Sequence, residues 1–356
     1  MSAPTKQAKA QVGRRLLDAF RAAGAVEVAP DILLPSATLL DLYGEDIRAR
    51  AYVTTDPLRG EVMLRPDFTV PVAQMHMAGR AEPARYCYLG EVFRKQDHGD
   101  TLPAHPRDNE YLQAGFEMFS RAADADAEVF ALFHRLLAPY AVAAVMGDMQ
   151  ILLDAVAALP ISAARRGALL HHVWRPRRFE RLMDRFSGPA RPRSFPDSAA
   201  PWAGLRSEGE MAARMARLAA DADEAPLPAR DADLLRRLFA TQGPAPQALE
   251  ALRALSADLP AIAPAVDRLA ARMEAIAAAG IDLTALAFDA SHGRQSMEYY
   301  DGMTFSFLAP GRGDGPAVAQ GGRYDALTAV LGEGRAIPAI GGIIRPGLVA
   351  ELEGLA

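Results

Sequence analysis

A short polar run, Leu64-Arg65-Pro66-Asp67-Phe68-Thr69, places a cation, a carboxylate and a hydroxyl at the predicted end of a strand. The carboxylate of Asp67 and the hydroxyl of Thr69 stand two residues apart. They suit a small ligand that carries an ammonium group, because hydrogen bonds to charged groups are strong. The same residues also fit a capped helix start after Pro66, with Asp67 or Thr69 as the N-cap. The run alone leaves both interpretations open.

Two neighbouring strand candidates carry a second polar group, in the runs Tyr88 to Gln96 and Tyr111 to Glu117. On paired strands Gln113, Gly115 and Glu117 share one face, because side chains alternate along a strand. An arginine, a glutamine and a carboxylate on an inward face are costly to bury without partners. This face is therefore either a ligand pocket or a solvated sheet surface.

A third polar group combines Glu298-Tyr299-Tyr300-Asp301-Gly302 with Gln320-Gly321-Gly322-Arg323-Tyr324-Asp325. Adjacent tyrosines place one ring in the core and the other on the opposite face. Gly321 and Gly322 allow the backbone to come close to something flat or small. Core packing followed by a turn explains the same residues, so this group also keeps two interpretations.

The elements that must position these groups follow from hydrophobic periodicity and turn residues. Val12, Leu16, Leu17, Phe20 and Ala23 recur at helical spacing, with Gly24 as the expected C-cap. The further elements predicted for the first part are strands at Tyr52 to Thr55 and Glu61 to Arg65 around the turn Asp56 to Gly60, a helix at Phe68 to Met77, and strands at Arg85 to Phe93 and Glu110 to Phe119.

The middle of the chain differs in composition from its two flanks. From 121 to 280 alanine dominates and the apolar spacing is helical, whereas strand and turn character returns from Phe288 onward. We predict an α+β fold with an antiparallel sheet of six or seven strands flanked by helices. Residues 1–120 and 281–356 form its core, and 121–280 form a mostly helical insertion.

Composition limits the class of protein. Hydrophobic residues make up 50% of the 356 residues, enough for a large core, and the net charge of -5 does not favour nucleic acid as a partner. The polar N-terminus and the lack of a long apolar run predict a cytoplasmic protein that does not contact membranes. No metal-binding or cofactor motif occurs. The single cysteine, Cys87, lies in an apolar run and is predicted to be a core residue rather than a nucleophile.

One basic cluster stands apart from these groups. Nine arginines and two acids, Glu180 and Asp184, lie between Arg165 and Arg193. The cluster fits a site for a phosphate ligand or an acidic partner protein. It equally fits a solvated helix face in a chain that prefers arginine to lysine.

The polar groups occur in an order that resembles the class II aminoacyl-tRNA synthetases, specifically the histidyl-tRNA synthetase family. The resemblance covers roughly Gly24 to Pro346, interrupted by the helical region. The similar segments are Leu64 to Thr69, Gly90 to Arg94 with Gln113 to Glu117, Glu298 to Tyr300, Gly321 to Asp325, and Pro338 to Gly341 at the start of the third class motif.

The resemblance implies a histidine site. The residues that match the family's histidine-binding positions are Asp67, Thr69, Arg94, Gln113, Glu117, Tyr300 and Tyr324. The chemistry of this set suits histidine, because carboxylates can hold the amino group, Arg94 and Gln113 the carboxylate side, and Glu117 and the tyrosines an imidazole. The resemblance also implies a homodimer formed through the segment around Val26 to Leu40.

Several departures from the family pattern remove cations. Leu348 matches the third-motif arginine that clamps ATP phosphate, and Arg345 is three residues early. Gln295 matches the histidine-specific catalytic arginine, and Arg294 is one place off, which on a strand turns a side chain to the other face. Lost transition-state donors typically cost about 10²–10³ in rate each. The chain also ends at Ala356, so we expect no C-terminal anticodon-binding domain.

A chain that keeps the amino-acid site but lacks the ATP clamp resembles the regulatory subunits of ATP phosphoribosyltransferase. The resemblance implies a non-catalytic chain that uses no cofactor, takes histidine as effector and joins a short-form catalytic subunit in a hetero-octamer at the first step of histidine biosynthesis. The alternatives are a truncated synthetase-like ligase and a histidine- or tRNA-binding module outside biosynthesis.

Overall fold

The computed structural model describes residues 4–43, 47–79, 82–95, 109–189, 205–294, 299–311 and 315–355. Within these ranges the strands form two sheets, one of nine strands and one of three. In chain order the strands are β1 (Val26–Glu27), β2 (Leu33–Pro35), β3 (Val53–Asp56), β4 (Gly60–Leu64), β5 (Ala84–Phe93), β6 (Glu110–Phe119), β7 (Ala143–Asp148), β8 (Gln242–Pro244), β9 (Ala287–Asp289), β10 (Met303–Leu308), β11 (Ala319–Arg323) and β12 (Ala339–Ile344).

Helices connect these strands. None of those in the described ranges is long and apolar enough to cross a bilayer. In chain order they are α1 (Lys6–Ala22), α2 (Ser36–Tyr43), α3 (Ile47–Arg50), α4 (Thr69–Gly79), α5 (Ala125–Leu137), α6 (Met149–Ala157), α7 (Ala163–His171), α8 (Pro176–Ser187), α9 (Glu208–Asp223), α10 (Ala229–Phe239), α11 (Ala245–Asp258), α12 (Ala263–Ala278), α13 (Asp325–Leu331) and α14 (Pro346–Leu352).

The large sheet has the strand order β1-β5-β6-β12-β11-β10-β7-β9-β8. Its six central strands, from β5 to β7, are antiparallel neighbours, and the short strands β1 and β9 pair in parallel with β5 and β7. The predicted α+β class is confirmed. The strand number exceeds the predicted six or seven because β1, β8 and β9 have only two or three residues each, too few to show a period.

The opening helix α1 illustrates how local sequence sets an element. The Thr5 hydroxyl accepts a hydrogen bond from the Ala8 amide at 3.1 Å and caps the helix. The buried side chains of α1 recur at helical spacing, and the ring of Phe20 lies 5.6 Å from that of Phe116 on β6. The C-cap is Ala23 rather than the predicted Gly24. Gly24 follows it with φ +85°, a conformation that favours glycine.

The two strands predicted around the turn Asp56 to Gly60 are present as β3 and β4 of the small sheet, in which β3 pairs antiparallel with β4 and β4 with β2. Asp56 organises the turn, because its carboxylate accepts from the amides of Leu58 and Arg59 at 2.9 Å each. These bonds lower the pKa of Asp56. Gly60 closes the turn with φ +76°.

The two faces of the large sheet have separate cores, because side chains alternate along its strands. On one face Cys87, Phe116 and Phe305 pack with Phe20 of α1 and Phe133 of α5. Cys87 is buried and free, and burial raises the pKa of its thiol, so the prediction of a core residue is confirmed. A second core cluster lies with α4 and α13 and contains several tyrosines.

The alanine-rich segment 121–280 is tied to the large sheet. Its strand β7 pairs with β10, which the sequence analysis did not anticipate, because Ala143 to Asp148 shows no alternation. Arg272 of α12 donates to the carboxylates of Asp126 on α5 and Asp148 at the end of β7, at 2.7 Å each. The division into a core and an insertion stays a prediction, and β7 belongs to the central sheet.

Candidate functional site

Several of the polar residues singled out from the sequence meet on the face of the large sheet that α4 covers. Glu117 of β6 is the cross-strand partner of Gly341 on β12, and Gly341 is the partner of Gly322 on β11. Tyr88 of β5 is opposite Gly115 of β6. Since residues opposite one another share a face, four neighbouring strands contribute to one surface.

Glycines on this surface give room to its large side chains. A Cβ at Gly115 would collide with the ring of Tyr88, and a Cβ at Gly341 would collide with Glu117 Oε2. A Cβ at Gly322 would lie 2.8 Å from Tyr300 Cδ1. The flat object expected against the glycine pair is thus, at Gly322, a tyrosine ring of the chain itself.

Glu117 lies at the centre of the site, and its carboxylate is fully buried. Three hydroxyls donate to it: Thr69 and Tyr88 to Oε1 at 2.9 Å each, and Tyr324 to Oε2 at 2.7 Å. A buried carboxylate without a cationic partner is costly, and these donors offset part of that cost.

The balance of these effects sets the protonation of Glu117. Burial raises its pKa, the three hydroxyl donors act in the opposite direction, and the net result is a pKa of about 7. Burial also raises the pKa of Tyr88 and Tyr324, so both phenols stay protonated and donate. Glu117 therefore changes charge near neutral pH, which is rare for a carboxylate.

The run Leu64 to Thr69 contains both a cap and a site. The carboxylate of Asp67 accepts from the amide of Val70 at 3.3 Å at the start of α4, whereas the hydroxyl of Thr69 points to Glu117. Both side chains are buried. Arg65 does not reach Glu117: it donates to the carbonyls of Glu91 and Pro30 and stacks on Phe68.

Gln113 has an unfilled hydrogen-bonding position. Its side chain is buried, its amide nitrogen donates to the Tyr111 hydroxyl at 3.4 Å, and its amide oxygen has no partner. If the amide is rotated by 180°, its nitrogen rather than its oxygen lacks a partner. Buried polar atoms are rarely left unpaired, so in either orientation one amide atom is available to a ligand.

Two arginines of the site lie near Tyr111. Arg94 donates to the Pro66 carbonyl at 2.7 Å, and Arg345 donates to Gln320 Oε1 at 3.3 Å. Burial would raise the pKa of Tyr111, but the charges of Arg94 and Arg345 outweigh burial and lower it. Both cations are therefore close to the Tyr111 hydroxyl and, through it, to Gln113.

The seven residues predicted for the site lie within this arrangement, with Tyr300 packed over Gly322 and near Tyr324 through Tyr299. Tyr88, Tyr111 and Arg345 also belong to it and were not among the predicted site residues. Tyr88 and Tyr111 could have been found from alternation, since each shares its strand face with Gly90 or Gln113. The predicted histidine-binding role of the seven stays a prediction.

Arg294 and Leu348, which lie beside or at the positions of the expected catalytic arginines, have different surroundings. Arg294 is buried, its Nε donates to the Val173 carbonyl at 2.9 Å, and its guanidinium lies 4.4 Å from the Phe239 ring centre. It is held by the helical segment. Leu348 packs against the core from α14. Gln295 and Glu298 lie outside the described residues.

The arrangement can bind a dipolar small molecule. Glu117 and Asp67 can accept from cationic or N–H groups, and Arg94 and Arg345, near Tyr111, can donate to an anionic group. Among the described residues no group of three or more His, Cys, Asp or Glu side chains could hold a metal ion.

Comparison with known proteins places the fold and the sequence in one family. The family model described as "Histidyl-tRNA synthetase" matches residues 2–183 and 209–346. The ATP phosphoribosyltransferase regulatory subunit of Brucella anthropi is 31% identical over 92% of this chain and 92% of its own length. The subunit of the same name from Brucella ovis is 32% identical over 87% of this chain and 88% of its own.

Solved structures share the fold at lower identity. An ATP phosphoribosyltransferase regulatory subunit/histidyl-tRNA synthetase from Bacillus halodurans gives a TM-score of 0.71 at 19% identity, over 99% of this chain and 81% of the other. A histidine–tRNA ligase subunit from Alicyclobacillus acidocaldarius gives 0.61 at 23% identity, over 99% and 96%. The expected class II synthetase-like fold is confirmed.

Proposed function

Since the chain belongs to the histidyl-tRNA synthetase family and groups there with the ATP phosphoribosyltransferase regulatory subunits, we propose that it is a histidine-binding, non-catalytic regulatory subunit of that enzyme. Its partner is a short-form catalytic chain, and histidine is the effector of the assembly in the first step of histidine biosynthesis.

The observation that carries this proposal is the buried carboxylate of Glu117 with its three hydroxyl donors. An imidazole N–H donates to a carboxylate, and a free imidazole has a pKa of about 6.5, close to the pKa of about 7 of Glu117. The two groups can therefore share a proton near neutral pH. A position that served only packing would favour an apolar residue, because an apolar side chain costs less free energy to bury than a carboxylate.

The charge distribution supports an amino acid rather than an amine. Asp67 offers a carboxylate for the α-ammonium group, and Arg94, Arg345 and Gln113 lie where a ligand carboxylate needs donors. Complementary groups at both ends select for a zwitterion, because a ligand that lacks either charge leaves a buried group unpaired.

The placement of two residues supports a non-catalytic role. Adenylate formation concentrates negative charge on phosphorus, and enzymes that stabilise it use positioned cations. Leu348 supplies an apolar contact at the matching position, and Arg294 is held between Phe179 and Phe239.

Titration calorimetry with histidine tests the binding site. Glu117→Ala removes the central acceptor, and we expect its affinity for histidine to fall by about tenfold or more, because hydrogen bonds to charged groups contribute about 1.5–3 kcal/mol each. Glu274→Ala is the matched control, since Glu274 is exposed on α12. Equal heats from wild type and Glu117→Ala would contradict the site.

One observation favours an active ligase as the second candidate. Arg345 lies near Tyr111 on the site's own face, so one cation other than Arg94 is within the site. Histidine-dependent exchange of pyrophosphate into ATP distinguishes the two functions. We expect none; exchange that Arg345→Gln abolishes would establish the ligase and overturn the regulatory proposal.

A further inference from the structure

A cavity of about 220 Å³ lies between α7, α8 and α9, far along the chain from the residues around Glu117. Two arginines of the Arg165–Arg193 cluster, Arg165 and Arg185, line it; Arg191 and Arg193 lie outside the described residues. Its charged lining consists of four arginines and one acid, namely Arg165, Arg185, Arg214, Arg217 and Asp221. The lining is therefore strongly positive in a chain whose net charge is negative.

Two of these arginines form the wall of the cavity. Arg165 is buried and bonds to Asp221 Oδ1 at 2.8 Å and to the Ala225 carbonyl at 3.0 Å. Arg185 pairs with the other oxygen of Asp221, and Glu224 lies 3.2 Å from Arg165. The single acid of the lining is thus fully used by the wall.

The other two arginines are available. Arg214 and Arg217 are exposed on α9, three residues apart, and in the described part of the chain neither has a hydrogen bond or ion pair. The acids four residues from them are engaged: Glu210 accepts from the backbone and hydroxyl of Ser207, and Asp221 holds Arg165 and Arg185. Two like charges at this spacing repel, so the arrangement favours an added anion.

The rest of the lining is apolar and limits the size of a ligand. The guanidinium carbons of Arg165 and Arg185 lie 5.0 and 5.5 Å from the ring centre of Phe186, with Leu182 and Leu218 beside it. Drug-sized ligands occupy cavities of about 300–1,000 Å³, so this cavity suits a smaller group. The planar guanidinium of an arginine binds phosphate oxygens in a bidentate manner, whereas a lysine acts only as a point charge.

We propose that this cavity binds a phosphate-bearing small molecule, with Arg214 and Arg217 contacting the phosphate oxygens and Arg165 and Arg185, held by their ion pairs, forming the fixed wall. The site is separate from Glu117 and does not depend on the function proposed above. It uses two arginines of the basic cluster that the sequence singled out, Arg165 and Arg185.

Titration calorimetry of the full chain with inorganic pyrophosphate tests the proposal at low salt and at about 0.15 M salt, because exposed charges are screened at the higher ionic strength. We expect saturable binding to one site per chain. Arg214→Gln with Arg217→Gln should weaken it by about tenfold or more, because two charge-assisted contacts are lost. Arg253→Gln is the matched control: it removes the same kind of charge from an exposed position on α11 and should change affinity by less than about twofold.

Three results would overturn the proposal. Wild type could show no saturable heat at low salt. The double variant could bind pyrophosphate as tightly as wild type, which would place the anion elsewhere. A hexaglutamate peptide could bind more tightly than pyrophosphate and lose its affinity in the double variant, which would make the surface a contact for an acidic protein instead.

Discussion

Glu117 is the residue whose chemistry depends most on its surroundings. Among the described residues no cation pairs with it, and the hydroxyls of one threonine and two tyrosines donate to it instead. Hydroxyls stabilise a carboxylate less than an arginine would, so burial remains the larger effect and the pKa reaches about 7. A ligand N–H would add a fourth donor and lower that pKa, so ligand binding and protonation at Glu117 are linked.

The unfolding free energy of the chain should depend on pH through the titration of the Glu117 carboxyl. Its folded-state pKa is above the ordinary value of 4.5, so the protonated form favours folding at low pH. That contribution is lost as the pH rises from about 4.5 through 7. The loss is on the order of 3 kcal/mol of unfolding free energy at 1.36 kcal/mol for each pKa unit.

Glu117→Gln removes the titration and keeps the shape of the side chain. Relative to wild type, the variant should gain unfolding free energy as the pH is raised from about 5 to about 8. Urea unfolding at the two pH values measures the difference, in which groups such as Asp301, whose pKa burial raises to about 6, cancel. A difference that does not change with pH would mean that Glu117 does not titrate in this range.

At the scale of elements, a buried ion-pair network links the helical segment to the site. Arg323 at the end of β11 pairs with Asp126 of α5 at 2.5 Å, and Asp126 also accepts from Arg272 of α12. Tyr324, which donates to Glu117, directly follows Arg323. Burial would raise the pKa of Asp126, but the two arginines outweigh it and lower that pKa. The network therefore fixes the strand end that delivers Tyr324.

Arg272→Met tests this link. It leaves Asp126 and Asp148 buried with one partner fewer, and removing one member of a buried pair typically costs about 3–5 kcal/mol of unfolding free energy. Arg268→Met, on the same helix, removes an exposed ion pair to Asp154 at 3.9 Å and should cost at most about 1 kcal/mol. Chemical unfolding of both variants gives the comparison, and equal losses would contradict a structural network.

Periodicity predicted most elements that have a strong period. The family resemblance pointed to seven residues that the structure brings together, and their histidine-binding role stays a prediction. It did not predict the register of β12 against β6, which brings Arg345 next to Tyr111, because register depends on pairing between distant segments. Nor did it predict β7, whose residues Ala143 to Asp148 do not alternate between apolar and polar side chains. Arg294 was expected to point away from the site. Its position between the rings of Phe179 and Phe239 was not predicted, because these rings come from helices far along the chain.

At the scale of the whole molecule, the segment expected to form a homodimer exposes apolar side chains. Val26 and Ile32 are 64% and 44% exposed, and both lie within Val26 to Leu40. We predict that Ile32→Glu converts a dimer to a monomer, because a buried unpaired charge in an apolar interface is costly. Leu205→Glu, at an exposed leucine outside this segment, is the control and should stay dimeric. Light scattering during size-exclusion chromatography measures the mass, and a monomeric wild type would contradict the interface.

The proposed regulation by histidine requires that binding at Glu117 changes the activity of the whole assembly. If histidine binds two states of the assembly with different affinity, the state of the assembly must change its affinity for histidine by the same factor. With a short-form catalytic chain, wild type should therefore make the phosphoribosyltransferase rate depend on histidine. Glu117→Ala should still co-elute with the catalytic chain, since Glu117 is buried and cannot contact a partner surface.

The histidine concentration that gives half the effect should rise in Glu117→Ala by the factor by which calorimetry shows affinity to fall. Glu274→Ala should respond as wild type does. A response that Glu117→Ala leaves unchanged would put the effector site elsewhere in the assembly, even if histidine bound at Glu117. A ligand that binds both states equally tightly does not shift the equilibrium between them. Histidine binding at Glu117 without a change in the concentration for half the effect would therefore mean that this site does not regulate the enzyme.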